Sequence, residues 1–285
     1  MQSTTLSGRH FALVALATGL TLSACSVSRD SAPTSQRDSG PAKPVSVDHI
    51  PDAIPKHEER TRAGNPTSYV VLGKRYHVKK ESTGYVERGI ASWYGRKFHG
   101  RKTSNGETYD MYAMTAAHKT LPIPTYVQVT NLDNGKRVVV RVNDRGPFHD
   151  NRIIDLSYTA AKKLDIVGNG TGRVEVRALE PGEPAPSTTR TAGVTGSTTP
   201  VTKPTSEKTS LYLQLGSFIS MHNAESLRAR LTLNNVTGAS IQQTSVDSKR
   251  IYRVRVGPLK TVDEADRIAT RINNLGMGVP TIVID

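Results

Sequence analysis

Residues 137–147, with the sequence RVVVRVNDRGP, decide the fold of the region around them. The β-branched run at its start predicts a strand. Asp144 stands at the end of that strand, and Gly146 and Pro147 predict a rigid turn directly after it. A carboxylate held at a strand end by such a turn is well placed to act on a ligand. Asp144 is therefore the first candidate functional residue.

Two further ionisable side chains precede Asp144 in short polar segments. Glu107 follows an Asn-Gly pair, and His118 follows two alanines. The chain's only tryptophan, Trp93, lies in the same region beside Tyr94. Aromatic residues, glycine turns and three ionisable groups in one compact region indicate a groove for a neutral, ring-shaped ligand.

Six motifs of this region resemble, in order and spacing, the catalytic domain of the rare lipoprotein A family. Members of that family are peptidoglycan lytic transglycosylases built on a double-psi β-barrel. The resemblance covers about residues 68–179 and rests on ASWYG (91–95), KFHG (97–100), TSNGETYDM (103–111), TAAHKTLP (115–122), VNDRGPF (142–148) and RIIDLS (152–157). It implies a mainly β catalytic domain over residues 68–180.

The resemblance implies catalytic roles for Asp144, Glu107 and His118. A carboxylic acid in a groove can deliver a proton to the departing glycosidic oxygen, and Asp144 is expected to act as acid and then as base. Glu107 is expected to stabilise an oxocarbenium-like centre or to position the sugar. His118 is expected to orient one of the carboxyls or to bind the N-acetyl group. The structural alternatives are a paired Asp in a turn, a solvated Glu and a satisfied loop His.

Four further residues are candidates for substrate binding in the barrel, namely Trp93, Tyr94, Asn105 and Arg145. Aromatic side chains in an aromatic-poor chain more often pack in the core. Arg145 would lower the pKa of Asp144 if it pointed inward, so we expect it to point away or to bind substrate. The family often has Ala at the position of Ser104, and Leu-Pro-x-Gly-Thr where this chain has LPIPT (121–125).

The chain is basic, with 38 Lys and Arg against 25 Asp and Glu among 285 residues. Such an excess suggests a polyanion, a membrane surface or an anionic wall polymer as partner. The excess is spread over the chain, and this weakens a nucleic-acid function. The single cysteine excludes an intrachain disulfide and a multi-cysteine metal site. His99, His118 and His149 lack the short spacing of zinc ligands, so no metal and no cofactor is expected.

Residues 1–25 indicate a lipoprotein signal peptide. An apolar run too short to span a bilayer ends in LSAC, which resembles the bacterial lipobox and implies lipidation of Cys25. The alternative is an ordinary secretory signal with a buried cysteine. Several acyl chains anchor a protein stably in a membrane. Ser26 favours the outer membrane, facing the periplasm, and residues 26–67 predict a disordered tether.

Local patterns predict several elements of the barrel. Residues 69–78 indicate a small hairpin, and residues 126–130 and 136–143 indicate a second one around an Asn-Gly turn. Asp155 or Ser157 is expected to cap a short helix over residues 158–164. A Pro, Thr and Ser-rich linker is predicted over residues 181–208.

Residues 209–285 predict strand, helix, strand, strand, helix, strand, a ferredoxin-like domain. The segments QLGSF (214–218) and RVRVGP (253–258) resemble the SPOR family, which binds peptidoglycan lacking stem peptides at the division septum. Strand alternation predicts that Tyr212, Gln214, Arg253 and Arg255 face outward and contact glycan. RNA binding by the same layout is disfavoured, because a secreted chain does not meet RNA.

The sequence therefore predicts a lipid-anchored envelope protein at the septum that cuts peptidoglycan glycan strands internally, preferring strands without stem peptides. The expected products carry 1,6-anhydro-muramic acid ends, and division-site proteins are possible partners. Two alternatives stay open. The barrel could be a non-catalytic, expansin-like wall binder, or it could be a true glycoside hydrolase, which would need two suitably spaced carboxylates and a water.

Overall fold

The computed structural model of the chain describes residues 38–43, 45–183 and 210–285. The predicted signal peptide with Cys25 and residues 184–208 of the predicted linker lie outside this part of the chain. The elements before the linker are β1 (Ser68–Val71), β2 (Lys74–His77), β3 (Val86–Tyr94), β4 (Thr115–His118), β5 (Thr125–Asn131), β6 (Arg137–Asp144), β7 (Arg152–Ser157), α1 (Tyr158–Lys163) and β8 (Thr171–Ala178).

Strands β3 to β8 close into a six-stranded barrel in the order β3-β7-β4-β6-β5-β8. The pairs β3–β7 and β4–β6 are parallel, and the other pairs are antiparallel. Its interior is filled by aliphatic side chains, among them Val138, Val140 and Val142 of β6. Because successive side chains of a strand point to opposite faces, Arg141 and Asn143 lie on the outer side of the barrel wall. The candidate site is built on that side.

Asp144 and Asp155 occupy one row of the barrel wall, because both pair with Ala117 of β4, from β6 and β7 respectively. The small side chain of Ala117 separates the two carboxyl-bearing positions. Gly146 follows with φ +145°, a conformation that favours glycine, and a Cβ there would lie 3.8 Å from Oδ2 of Asp155. The Asp-Arg-Gly-Pro turn thus lies against this row.

Most local predictions for the barrel are confirmed. Strands β5 and β6 form the expected antiparallel hairpin, and β1 and β2 form the smaller one. Ser157 caps α1, since its Oγ accepts a hydrogen bond from the amide of Ala160 at 3.3 Å. The β1–β2 hairpin packs Tyr69 and Tyr76 against Phe148, directly after the Asp-Arg-Gly-Pro turn.

The prediction that residues 26–67 form a disordered tether is wrong for residues 38–43 and 45–67, and residues 26–37 lie outside the described part of the chain. Residues 38–43 and 45–67, which we call the arm, lie against the barrel. Val47 is 2% exposed and packs with Tyr94 and Tyr158, and Asp52 accepts a hydrogen bond from the amide of Val139 at 2.8 Å. The arm docks largely through polar groups and has few apolar residues. Its composition therefore resembles that of a disordered segment, although it is ordered against the barrel.

The C-terminal domain has the predicted element order. It consists of β9 (Leu211–Phe218), α2 (Met221–Leu233), β10 (Ala239–Val246), β11 (Lys249–Leu259), α3 (Val262–Asn274) and β12 (Thr281–Ile284). The sheet order is β10-β11-β9-β12, with all pairs antiparallel. Buried aliphatic residues such as Leu211, Leu213 and Ile272 fill the space between sheet and helices. None of the helices in the described ranges is long and apolar enough to cross a membrane.

Candidate active site

Asp144 is the last residue of β6, and hydrogen bonds to one of its two carboxyl oxygens fix its side chain. Its Oδ1 accepts hydrogen bonds from the amide and the hydroxyl of Ser104, at 2.8 and 2.5 Å, and from the amide of Arg145 at 2.7 Å. The carboxyl is half-buried. Its Oδ2 accepts no hydrogen bond from the described residues. The arrangement orients the carboxyl through Oδ1 and leaves Oδ2 available to a ligand.

Glu107 is the second acid of the site, and its carboxylate is surrounded by donors. It accepts hydrogen bonds from Asn143 at 2.8 Å, from Asn105 at 2.9 Å and from Nη1 of Arg141, which lies 2.9 Å from both oxygens. Burial acts to raise the pKa of Glu107, but these hydrogen bonds outweigh it and the pKa lies below its ordinary value. Glu107 is therefore an ionised group and not a proton donor.

One short loop joins the two acids. The amide of Thr103 bonds the carbonyl of Glu107 at 2.9 Å, which closes the loop, and Gly106 within it has φ +91°. Ser104 at the start of the loop holds Asp144, whereas Asn143, next to Asp144 on β6, holds Glu107. The structure therefore brings together two of the three predicted catalytic residues.

His118 lies in a different setting and is 2% exposed. Its Nδ1 accepts hydrogen bonds from the amides of Thr120 and Leu121, at 3.1 and 3.0 Å, so we assign the ring proton to Nε2. That nitrogen lies 2.9 Å from the hydroxyl of Tyr85, which in turn donates to Glu87. Burial lowers the pKa of His118 to about 3, so the ring is neutral at physiological pH.

Two consequences follow for the predicted role of His118. Its ring makes no hydrogen bond with Asp144 or Glu107, and its own hydrogen bonds hold the turn at 118–121. Its backbone carbonyl accepts a hydrogen bond from Arg145 at 3.1 Å. His118 is thus linked to the Asp144 turn through the backbone and not through its imidazole.

The guanidinium of Arg145 is occupied by protein acceptors. It donates to the carbonyls of Gly64 at 2.8 Å and Leu121 at 2.5 Å, and to the side chain of Asn65 at 3.0 Å, in addition to His118. None of these acceptors is Asp144, which agrees with the expectation that Arg145 points away from it. Burial lowers the pKa of Arg145 to about 10. The side chain therefore connects the Asp-Arg-Gly-Pro turn to the arm.

The predicted aromatic contacts with sugar are placed as follows. Tyr94 is buried, with Tyr109 stacked on it at a ring distance of 4.0 Å. Trp93 is half-buried and meets Tyr158 edge-on at 5.8 Å. One face of Tyr94 is therefore already covered by protein. Asn105 uses its amide group to hold Glu107, as described above, and the sugar contacts of all three residues stay predictions.

Asp155 is a third carboxyl close to the site. It accepts a hydrogen bond from Ser92, its neighbour on β3, and burial raises its pKa above the ordinary value. The nearby hydroxyl of Tyr94 is buried without a hydrogen-bond partner among the described residues. The wall beside Asp144 therefore carries a second, buried carboxyl whose pKa is raised by its burial.

On the sheet of the C-terminal domain, three of the four predicted glycan contacts are half-buried, namely Tyr212, Gln214 and Arg253. The expected exposure of Arg255 is wrong, because this residue is only 4% exposed. Its guanidinium pairs with the carboxylate of Asp285 and lies 3.4 Å from the Gln214 side chain. Val254 and Val256 point into the core, and Arg255 shares the outward face with Tyr212 and Gln214, as alternation predicts. Arg255 is buried because these two side chains and Asp285 cover it.

Sequence reasoning missed three residues that hold the two acids, Ser104, Arg141 and Asn143, and also missed Glu58, which holds Arg141. Arg141 and Asn143 could have been found, because they alternate with the inward valines of β6 and must share its outer face. Ser104 and Glu58 carry no such signal. They lie 40 residues from Asp144 and 83 residues from Arg141 along the chain.

Comparisons with known proteins support the two-domain assignment. A double-psi barrel family model described as lytic transglycolase matches residues 86–176, and a SPOR domain model matches residues 207–284. A Pseudomonas aeruginosa protein named endolytic peptidoglycan transglycosylase RlpA is 42% identical over 87% of this chain and 84% of its own length. A Neisseria meningitidis serogroup A protein of the same name is 44% identical over 75% of this chain and 82% of its own.

A solved structure of the RlpA SPOR domain from Pseudomonas aeruginosa is 36% identical, with a TM-score of 0.24, and covers 26% of this chain and 96% of its own. The two family models confirm the predicted double-psi barrel followed by a SPOR domain. Because full-length relatives match over most of both chains, this protein belongs to the RlpA family.

Proposed function

We propose that this protein is an endolytic peptidoglycan transglycosylase that uses Asp144 as its acid and base. The observation that carries the proposal is the fixed carboxyl of Asp144, which is oriented through Oδ1 while Oδ2 stays open, beside the ionised Glu107. The relatives named endolytic peptidoglycan transglycosylase and the matched lytic transglycolase family model support the same activity.

The proposed reaction begins with Asp144 protonated. Its proton passes to the glycosidic oxygen that leaves C1 of the muramic acid, and the bond between C1 and that oxygen breaks. The C6 hydroxyl of the same muramic acid then bonds to C1, and the carboxylate of Asp144 takes the hydroxyl proton. Atoms and charge balance without water, and the product carries a 1,6-anhydro end.

Glu107 supplies negative charge in this scheme. An ionised carboxylate near C1 stabilises the positive charge that develops there, and its donors fix it before the substrate arrives. His118 is neutral and bonded to the backbone of its own turn. In this proposal it holds the turn at 118–121, whose carbonyls accept hydrogen bonds from Arg145, and it transfers no proton.

The remaining predictions place the enzyme in the cell envelope. A lipid on Cys25 would anchor the chain in the outer membrane, and the SPOR domain would direct it to septal glycan strands that lack stem peptides. Binding by one domain raises the local substrate concentration for the other. Division-site proteins are further proposed partners.

The chemistry is tested by mass spectrometry of products from peptide-stripped glycan strands. We expect fragments with 1,6-anhydro ends and of intermediate length, as internal cutting gives. Reducing ends would instead establish a hydrolase, for which Asp144 and Glu107 would have to lie about 6.5–9.5 Å apart with a water between them. Binding to sacculi without any released glycan would favour the expansin-like alternative.

A further inference from the structure

The arm lies outside the barrel family model, which begins at residue 86. It nevertheless reaches the candidate active site. Glu58 of the arm meets Arg141 of β6, and Asn65 of the arm receives the guanidinium of Arg145. The arm therefore contacts residues that lie next to both acids, in addition to preceding the barrel in the chain.

The contact between Glu58 and Arg141 is bidentate. Nε of Arg141 lies 2.9 Å from one oxygen of Glu58, and Nη2 lies 2.8 Å from the other. The hydroxyl of Tyr126 donates to the same carboxylate. Side-chain exposure is 18% for Arg141 and 23% for Glu58, so water screens the pair only partly. Such a pair fixes the plane of the guanidinium.

The remaining edge of that guanidinium holds Glu107. Nη1 of Arg141 lies 2.9 Å from each oxygen of Glu107. Because the guanidinium is rigid and planar, fixing its Nε and Nη2 edge also fixes the direction in which Nη1 points. Arg141 therefore transmits the position of Glu58 to Glu107.

The charges agree with this chain of contacts. Hydrogen bonds from Arg141 hold the pKa of Glu58 below its ordinary value, despite its partial burial. Burial acts to lower the pKa of Arg141, but its bonds to both glutamates outweigh it and raise the pKa. All three groups are thus charged at neutral pH, with one cation shared by two carboxylates.

We propose that Glu58 is a positioning residue of the active site, acting on Glu107 through Arg141. The proposal rests on the function proposed above for Glu107. A misplaced carboxylate weakens charge stabilisation in the transition state more than it weakens substrate binding.

A double-mutant cycle on the full chain tests this. Glu58→Ala, Arg141→Ala and the double variant are assayed on soluble, peptide-stripped glycan strands, with kcat and KM measured separately. We expect Glu58→Ala to lower kcat about tenfold with KM within about twofold. In the Arg141→Ala background the same change should cost less than about twofold, because Glu58 acts only through Arg141.

Asp52→Ala is the matched control. Asp52 is also an arm carboxylate with a salt bridge, at 2.7 Å to Lys163, but it does not contact Arg141. We expect this variant to keep wild-type kcat. Glu58→Gln, which keeps the shape without the charge, should retain more activity than Glu58→Ala. If Arg141→Ala unfolds, Arg141→Lys replaces it in the cycle, and thermal unfolding confirms that each assayed variant is folded.

The outcomes separate the inference from the proposed function. An inactive wild-type chain would overturn the proposed function. An active wild type with a fully active Glu58→Ala would overturn the inference alone. Independent effects that multiply in the double variant, or an equal loss in Asp52→Ala, would show that the arm only stabilises the fold.

Discussion

Ser104 donates two hydrogen bonds to one oxygen of Asp144, from its amide at 2.8 Å and from its hydroxyl at 2.5 Å. The same hydroxyl accepts a hydrogen bond from the amide of Arg145 at 3.0 Å. Ser104 therefore sets the direction of the carboxyl from both its main chain and its side chain. The amide contact is independent of the side chain, so it survives substitution.

The first prediction follows from the difference between the main-chain and side-chain contacts of Ser104. Ser104→Ala removes the hydroxyl donor to Asp144 and keeps the two amide donors, from residue 104 and from Arg145. We therefore expect kcat to fall only about 2–10-fold. Steady-state assays on peptide-stripped strands measure this, with Ser104→Thr as a control that keeps the hydroxyl. A loss as large as that of removing the Asp144 carboxyl would show that the hydroxyl takes part in the chemistry.

The second prediction concerns the pH dependence of stability. The pKa of His118 is about 3 in the folded state, below the ordinary value of 6.5, so the unfolded state binds a proton more readily. Stability should therefore fall as the pH drops from about 6.5 towards 3, by at most about 1.4 kcal/mol per pH unit from this group.

Urea unfolding followed by the fluorescence of Trp93 measures this in the barrel. The comparison is with His118→Gln, which lacks the titrating ring, and the stability advantage of the wild type should shrink at acid pH. A constant difference from pH 7 to pH 4 would contradict the buried, neutral assignment of His118.

The third prediction distinguishes a structural from a substrate-binding Arg145. Lysine keeps the charge but cannot reach the four acceptors that the guanidinium joins. Arg145→Lys should lower barrel stability by about 1.5–3 kcal/mol. Chemical denaturation gives the stability, and KM for the folded enzyme should change little. A raised KM at unchanged stability would support direct substrate binding.

The fourth prediction compares two arginines of the C-terminal domain. Arg255 is buried and paired with Asp285, whereas the side chain of Arg253 makes no hydrogen bond with the residues that the structure describes. Arg255→Ala should destabilise the domain by about 1–3 kcal/mol, and Arg253→Ala should leave its stability nearly unchanged. Calorimetry measures both. Equal stability in the two variants would contradict the role given to the Asp285 pair.

Local patterns were enough to predict much of the barrel. The β-branched run of β6 and the Gly-Pro turn after it placed Asp144 at a strand end, and Ser157 was one of two caps expected for α1. These features depend on neighbours in sequence. The six motifs then gave the family, and with it Glu107 as the second acid.

Long-range contacts could not be predicted in this way. The arm resembles a tether because it is polar, and only the fold shows that its carboxylates meet barrel donors such as the amide of Val139. The exposure expected for Arg255 was wrong because Asp285, a residue 30 positions away, pairs with its guanidinium and covers it. The hydrogen bonds of the His118 ring to its own turn could not be predicted either, because no spacing in the sequence reveals them.

The central claim is that the carboxyl of Asp144 transfers the proton that breaks the glycan. Asp144→Asn keeps the size and an acceptor for the Ser104 and Arg145 amides, but it cannot deliver a carboxylic acid proton. Release of soluble glycan from peptide-stripped strands, measured together with binding to sacculi, tests it most directly. The account predicts no detectable release and unchanged binding, whereas release at the wild-type rate would contradict it.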